Sequence, residues 1–172
     1  MLVNFAAHPP VLSADEMQLS ADYPGALCRE LERRHGPGFT AIFTNGDEGD
    51  MGPNTPGGAT RWDRVEAMGK ALADEVDKRL PDIRTNARVL LRGELTPMKL
   101  PSPRLPLVFP DRVVIQSLQI QDAVFLCVPG EMCVDVGRGV KDAVLGRGQA
   151  ITAIIGLAND HLGYFTSPEG FE

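Results

Sequence analysis

Side chains with chemical capacity stand at the ends of the apolar runs in this sequence. The run Asp122–Val128 becomes wholly apolar, stops at Pro129-Gly130 and delivers Glu131. Proline cannot donate to a ladder and glycine allows a sharp turn, so a strand ends there. Beyond it Met132, Val136, Val140 and Val144 recur every fourth residue, one face of a helix. Glu131 is therefore expected at a strand-to-helix corner, the sheet edge where α/β proteins place ligands. Two readings stand side by side: a carboxylate that only favours a helix N-terminus, and one that does chemistry. His8 ends the first apolar run, Leu2–Ala7, and is stiffened by Pro9-Pro10; it is either a hydrogen-bonded structural residue or a metal ligand. The polar loop Asn45–Asn54 follows the run Phe39–Phe43 and holds three glycines with the carboxylates Asp47, Glu48 and Asp50. Its spacing misses the calcium-loop pattern of an EF-hand, and a plain turn-forming surface loop is the competing reading. The segment Asn159–Tyr164 follows the last apolar run. Histidine, glutamate and a tyrosine phenolate all serve as zinc ligands in hydrolytic sites, the third rarely.

The elements that must position these residues are legible in outline. Ser20-Ala-Asp22-Tyr-Pro24 is a helix start, Leu27 and Leu31 mark a buried face, and His35-Gly36-Pro37-Gly38 ends the helix. With strands at 2–7 and 39–43 on either side, a right-handed βαβ unit is the default. Arg61–Leu80 carries Trp62, Val65, Met68, Leu72, Val76 and Leu80 at helical spacing, and Pro81 stops it. Arg88–Leu95 reads as a strand. Thr96–Pro110, with Pro97, Pro101, Pro103, Pro106 and Pro110, reads as extended surface coil. Arg112–Ile120 and Ala123–Val128 pair as a hairpin across Gln121-Asp122, and Ala150–Ile155 is the last strand. The expectation is a single α/β domain, with a mixed or mostly parallel sheet flanked by helices 22–35, 61–80 and 132–146.

Composition narrows the classes. The 172 residues are 43% hydrophobic and 23% charged, which excludes a disordered chain. No apolar run approaches the roughly 20 residues a spanning helix needs. The N-terminus lacks the basic region of a signal peptide. A formal net charge of −6 gives no electrostatic case for nucleic-acid binding. Cys28, Cys127 and Cys133 are an odd count in apolar surroundings and read as reduced thiols in a cytoplasmic setting.

Taken together, several pieces resemble the neutral (non-lysosomal) ceramidases and their bacterial relatives. They are Asn4-Phe-Ala-Ala-His-Pro9, Ser20-Ala-Asp-Tyr-Pro-Gly25, Gly49-Asp-Met-Gly-Pro-Asn54, Val128-Pro-Gly-Glu131 and the closing run Gly156–Phe171. They occur in the family's order and span almost the whole chain. The resemblance implies a zinc amidase that cleaves an N-acyl bond, that of ceramide in the family, with metal-bound water as nucleophile. It implies His8, Glu131 and Tyr164 as zinc ligands and brings Asp50 and Asn54 to the substrate.

The sequence departs from the family pattern in three places. Where the family has a catalytic serine in Gly-Asp-x-Ser-Pro-Asn, Gly52 stands here and offers no hydroxyl. The family's upstream His-x-His segment, which supplies another ligand, and its further active-site tyrosine downstream have no counterpart in this stretch. The expectation is thus a partial ceramidase-type catalytic domain over 1–172, with an incomplete zinc site that an oligomer or companion chain completes. Two function classes follow: an amide hydrolase acting on a small-molecule or lipid amide, and a non-catalytic ceramidase-like scaffold or subunit.

Overall fold

The computed structural model describes residues 1–102, 110–148 and 150–171. The fold is α/β, with parallel and antiparallel strand pairs and three α-helices among the described residues. It is built as two compact units, Met1–Thr44 with Gly52–Asn86, and Asn45–Met51 with Ala87–Glu172.

In the first unit β1 (Leu2–Phe5) and β2 (Ile42–Asn45) are neighbours in a two-stranded sheet, with α1 (Asp22–His35) between them in sequence. The chain enters α1 through Asp22, whose φ of 50° is a left-handed conformation that aspartate tolerates. Its carboxylate accepts from Tyr23 N at 2.6 Å and Leu12 N at 2.9 Å, and Ser20 Oγ accepts from Asp22 N at 3.0 Å. Both polar residues expected at the helix start work there, through turn bonds; the N-cap itself, Ala21, has no side-chain bond. Thr60 and Asp63 form a reciprocal capping box at the start of α2 (Arg61–Arg79).

The core of this unit gathers Leu27, Leu31, Ala41 and Ala73, with Phe39, Phe43, Leu72 and Val76 packed on them. Tyr23 is fully buried, its edge contacts Phe5 and Phe43 at centroid distances of 6.3 and 5.8 Å, and its O–H donates to the Ala7 carbonyl at 2.6 Å. The hydroxyl thus has the partner that burial demands. Gly69 lets α2 approach α1 closely: a Cβ there would lie 2.5 Å from Ala26 Cβ and 2.7 Å from Leu27 N. Arg34 ties the two helices at their far end, donating to Glu30 at 2.8 Å and to Asp74 and Asp77 at 2.7 Å.

The second unit holds a four-stranded mixed sheet in the order β3 (Leu91–Lys99), β4 (Arg112–Ile120), β5 (Ala123–Cys127), β7 (Ile151–Ile155). The first two pairings are antiparallel, and β5 to β7 is parallel through α3 (Val134–Leu145). A parallel pair needs such a crossover, whereas the β4–β5 hairpin closes through Gln121 at φ 56°. A third, two-stranded parallel sheet pairs β6 (Glu131–Met132) with β8 (Tyr164–Phe165). Val128, Met132 and Ile154 form the core here, with Ile115, Leu126, Val136, Val140 and Phe165 against them.

Three expectations need correction. Strand β3 continues to Lys99, through Pro97, where coil was expected. It is an edge strand, and at an edge the missing N–H of a proline need not enter a ladder. Residues 103–109, with Pro103 and Pro106, lie outside the described residues. Helix α3 begins at Val134, so Glu131 is in a strand and not at a helix corner. The four-residue period ran through the junction because Met132 packs into the same core as Val136 and Val140. Finally, among the described residues the strands are shared among three sheets, where one was expected.

Two measurements check the helix pair. Gly69→Ala gains about 1 kcal/mol of helix propensity, but its methyl meets the α1 backbone, and overpacking costs about 1–3 kcal/mol. The expected net result is a lower urea midpoint with an unchanged slope. The second concerns pH. Hydrogen bonds from Arg33, then Arg34, hold the Glu30 carboxyl down at about 2. A depressed folded value contributes stability that is present above the unfolded value near 4.3 and is lost as pH falls through about 2. At low ionic strength, wild type should therefore exceed Glu30→Gln in melting temperature at pH 6, and the gap should narrow as pH falls from about 4.3 toward about 2. A gap independent of pH would refute the assignment.

Candidate functional site

Val128-Pro129-Gly130-Glu131 folds flat against the segment that follows β7. A Cβ on Gly130 would sit 2.6 Å from the Gly163 carbonyl oxygen and 2.9 Å from the Phe165 ring, so only glycine allows the approach. Backbone bonds run the length of the contact. Leu157 N donates to Gly130 O at 3.1 Å, Ala158 N to Val128 O at 2.8 Å and Leu162 N to Pro129 O at 2.8 Å. Glu131 N donates to Gly163 O and Cys133 N to Phe165 O, both at 2.9 Å. The parallel register puts Glu131 opposite Tyr164 and Met132 opposite Phe165. Side chains alternate along a strand, so with Met132 and Phe165 in the core, Glu131 and Tyr164 share the other face.

On that face Glu131 is nearly covered, at 9% exposure, while Tyr164 is 59% exposed. The Tyr164 phenol is pushed above its ordinary pKa, first by its hydrogen bond to the Glu131 carboxylate, then by burial, then by the charges of Glu131, Cys133 and Glu48. His161 approaches from the same loop, with Nε2 3.2 Å from Glu131 Oε1. One carboxylate thus sits between an imidazole and a phenol. Such a set can pass a proton, and its nitrogen and oxygen donors are those that zinc takes.

The residues singled out in the sequence fall as follows. Glu131 and Tyr164 are brought together in the second unit. His8 belongs to the first unit, half-buried in the loop after β1, next to Ala7, whose carbonyl accepts the Tyr23 hydroxyl. Asp50 serves α3: its Oδ1 accepts from Val134 N at 2.8 Å, so this carboxylate, and not Glu131, meets that helix N-terminus. Gly52 and Asn54 are exposed, and a Cβ on Gly52 would meet nothing within 4 Å. Among the described residues no three His, Cys, Asp or Glu side chains cluster as a metal site. His161 is the residue the sequence reading missed. Its signal was available, a histidine three positions before a candidate ligand in Asn-Asp-His-Leu-Gly-Tyr164.

No protein-family model matches the chain, and no curated protein matches it. Solved structures do. The crystal structure of neutral ceramidase from Pseudomonas aeruginosa is similar with a TM-score of 0.79 and 18% identity, covering 99% of this chain and 39% of that one. A ceramidase complexed with C2 is similar with a TM-score of 0.78 and 17% identity, covering 99% and 40%. The chain therefore spans about two fifths of the length of these neighbours. The fold of this chain is that of a segment of neutral ceramidase, the family its motifs resemble.

Proposed function

We propose that this chain is part of a ceramidase-type catalytic domain, a zinc-dependent hydrolase of an N-acyl amide, with sphingolipid amides among the candidate substrates. The observation that carries this reading is the pairing of Glu131 with Tyr164 on one face, in a fold similar to neutral ceramidases. In this reading Glu131, Tyr164 and His8 hold the ion, and Asp50 and Asn54 lie at the substrate. The donor set fits zinc in kind: a nearly covered carboxylate hydrogen-bonded to a phenol, both on a backbone fixed by strand pairing. Zinc, when bound, supplies Lewis acidity toward an amide carbonyl and a strong nucleophile at neutral pH. The chain's own part is to hold Glu131 rigidly and to keep its charge close to the reacting centre.

Other elements of the reading follow from the same residues. All three cysteines are free, which suits a reducing, cytoplasmic setting. Among the described residues no helix is long and apolar enough to cross a membrane. The rival reading, a non-catalytic scaffold, is favoured by one observation: Gly52 replaces the family's serine and leaves open space.

Elemental analysis after dialysis against micromolar zinc, followed by an amidase assay on N-acyl amides, separates the two. The hydrolase reading expects about one zinc per chain, with Glu131→Gln lowering affinity at least about tenfold and abolishing turnover. Zinc-free protein without turnover on any N-acyl amide would leave the scaffold. Gly52→Ser has room for its side chain. It should fold as wild type does, and in a family-type site it should raise turnover, whereas a scaffold would stay inactive.

A further inference from the structure

We propose that His161 is a ligand of the metal that the preceding reading places on Glu131 and Tyr164, on which this inference rests. The three protein ligands are then Glu131 Oε, Tyr164 Oη and His161 Nε2, with His161 in the place that the preceding reading gives to His8 and the fourth position left open. Bonds of about 2.0–2.2 Å from one tetrahedral zinc ion put its donor atoms roughly 3–3.5 Å apart. The observed separation of His161 Nε2 and Glu131 Oε1, 3.2 Å, lies in that interval.

The loop is built in a way that presents this ring. Leu157 and Ala158 on one side, and Leu162 on the other, donate backbone bonds to Gly130, Val128 and Pro129 at 3.1, 2.8 and 2.8 Å. Leu162 is 8% exposed and anchors the chain immediately after His161. His161 N donates to Asp160 Oδ1 at 2.8 Å, which fixes the backbone just before the ring. The His161 side chain itself is 66% exposed and fills no core. A contact that open adds little to stability, so the pairing with Glu131 has no strong structural purpose. Its geometry suits a shared ion: a carboxylate on a paired strand, with one nitrogen and one oxygen donor around it.

Titration of the full chain with zinc, and with cobalt as a visible probe, tests the proposal. His161→Ala should lower affinity for both metals at least about tenfold while leaving the urea midpoint unchanged, since the side chain is exposed. His161→Cys should bind cobalt with a near-ultraviolet thiolate-to-metal band absent from wild type, a signal that a merely structural role would not produce. His8→Ala separates this inference from the reading beneath it. If His8→Ala loses metal and His161→Ala binds as wild type does, the zinc site stands and His161 is not in it. If wild type itself binds neither zinc nor cobalt, both fall.

Discussion

The geometry of the candidate site in the second unit depends on one seam of backbone hydrogen bonds, between residues 128–133 and 155–165. Each bond contributes only about 0.5–1.5 kcal/mol net. Their importance is geometric. A strand has a period of two, so a slip of one residue would turn Glu131 into the core that Met132 and Phe165 occupy. The seam forbids that slip. Pro129, with no N–H, still takes part through its carbonyl, which accepts from Leu162 N at 2.8 Å. Gly130, with no Cβ, lets the two segments close to within backbone contact. The Pro-Gly pair that ends β5 in the sequence is therefore also what lets the following residue meet a partner 33 positions later, since Glu131 pairs with Tyr164.

What was legible in the sequence follows from the range of the forces involved. Helices α1 and α2 are local: Leu27, Leu31 and Gly36 specify the first, and the stripe from Trp62 to Leu80 stopped by Pro81 specifies the second. The β4–β5 hairpin is local too, since its two-residue link sets the register. The two-residue strands β6 and β8 are not. Neither has the length to show alternation, and the pairing is made by residues far apart in the chain. Met132 concealed the junction by falling in phase with α3. Pro97 was read as a breaker because a sequence does not state that its strand lies at a sheet edge.

For the candidate site the same division holds. The position of Glu131 after a strand was legible from Pro129-Gly130. Its neighbour Tyr164 came from the family resemblance, because no spacing rule links residues so far apart. His161 carried no periodicity, and the closing run that resembles the family gave it no role. Only the fold of its loop, pinned at Leu157, Ala158 and Leu162, shows which carboxylate it faces.

The acidic loop supports the strand that carries Glu131. Asp47 is buried and takes both its bonds from Lys141 Nζ, at 2.9 and 2.8 Å, in a space that the missing Cβ of Gly137 provides. Glu48 is fully buried, with its carboxylate against Gly156. Asp50 binds the first turn of α3. A buried carboxylate is costly unless paired, and Lys141 meets that need for Asp47. The loop reaches β6 directly, because Gly49 N donates to Met132 O at 2.9 Å, and a Cβ on Gly49 would come within 2.7 Å of Glu131 O. The backbone of β6 is consequently held on one side by the Gly163–Phe165 seam and on the other by the Gly49 turn. Its position is set on folding, and a ligand that uses the Glu131 carboxylate does not have to order the strand that carries it.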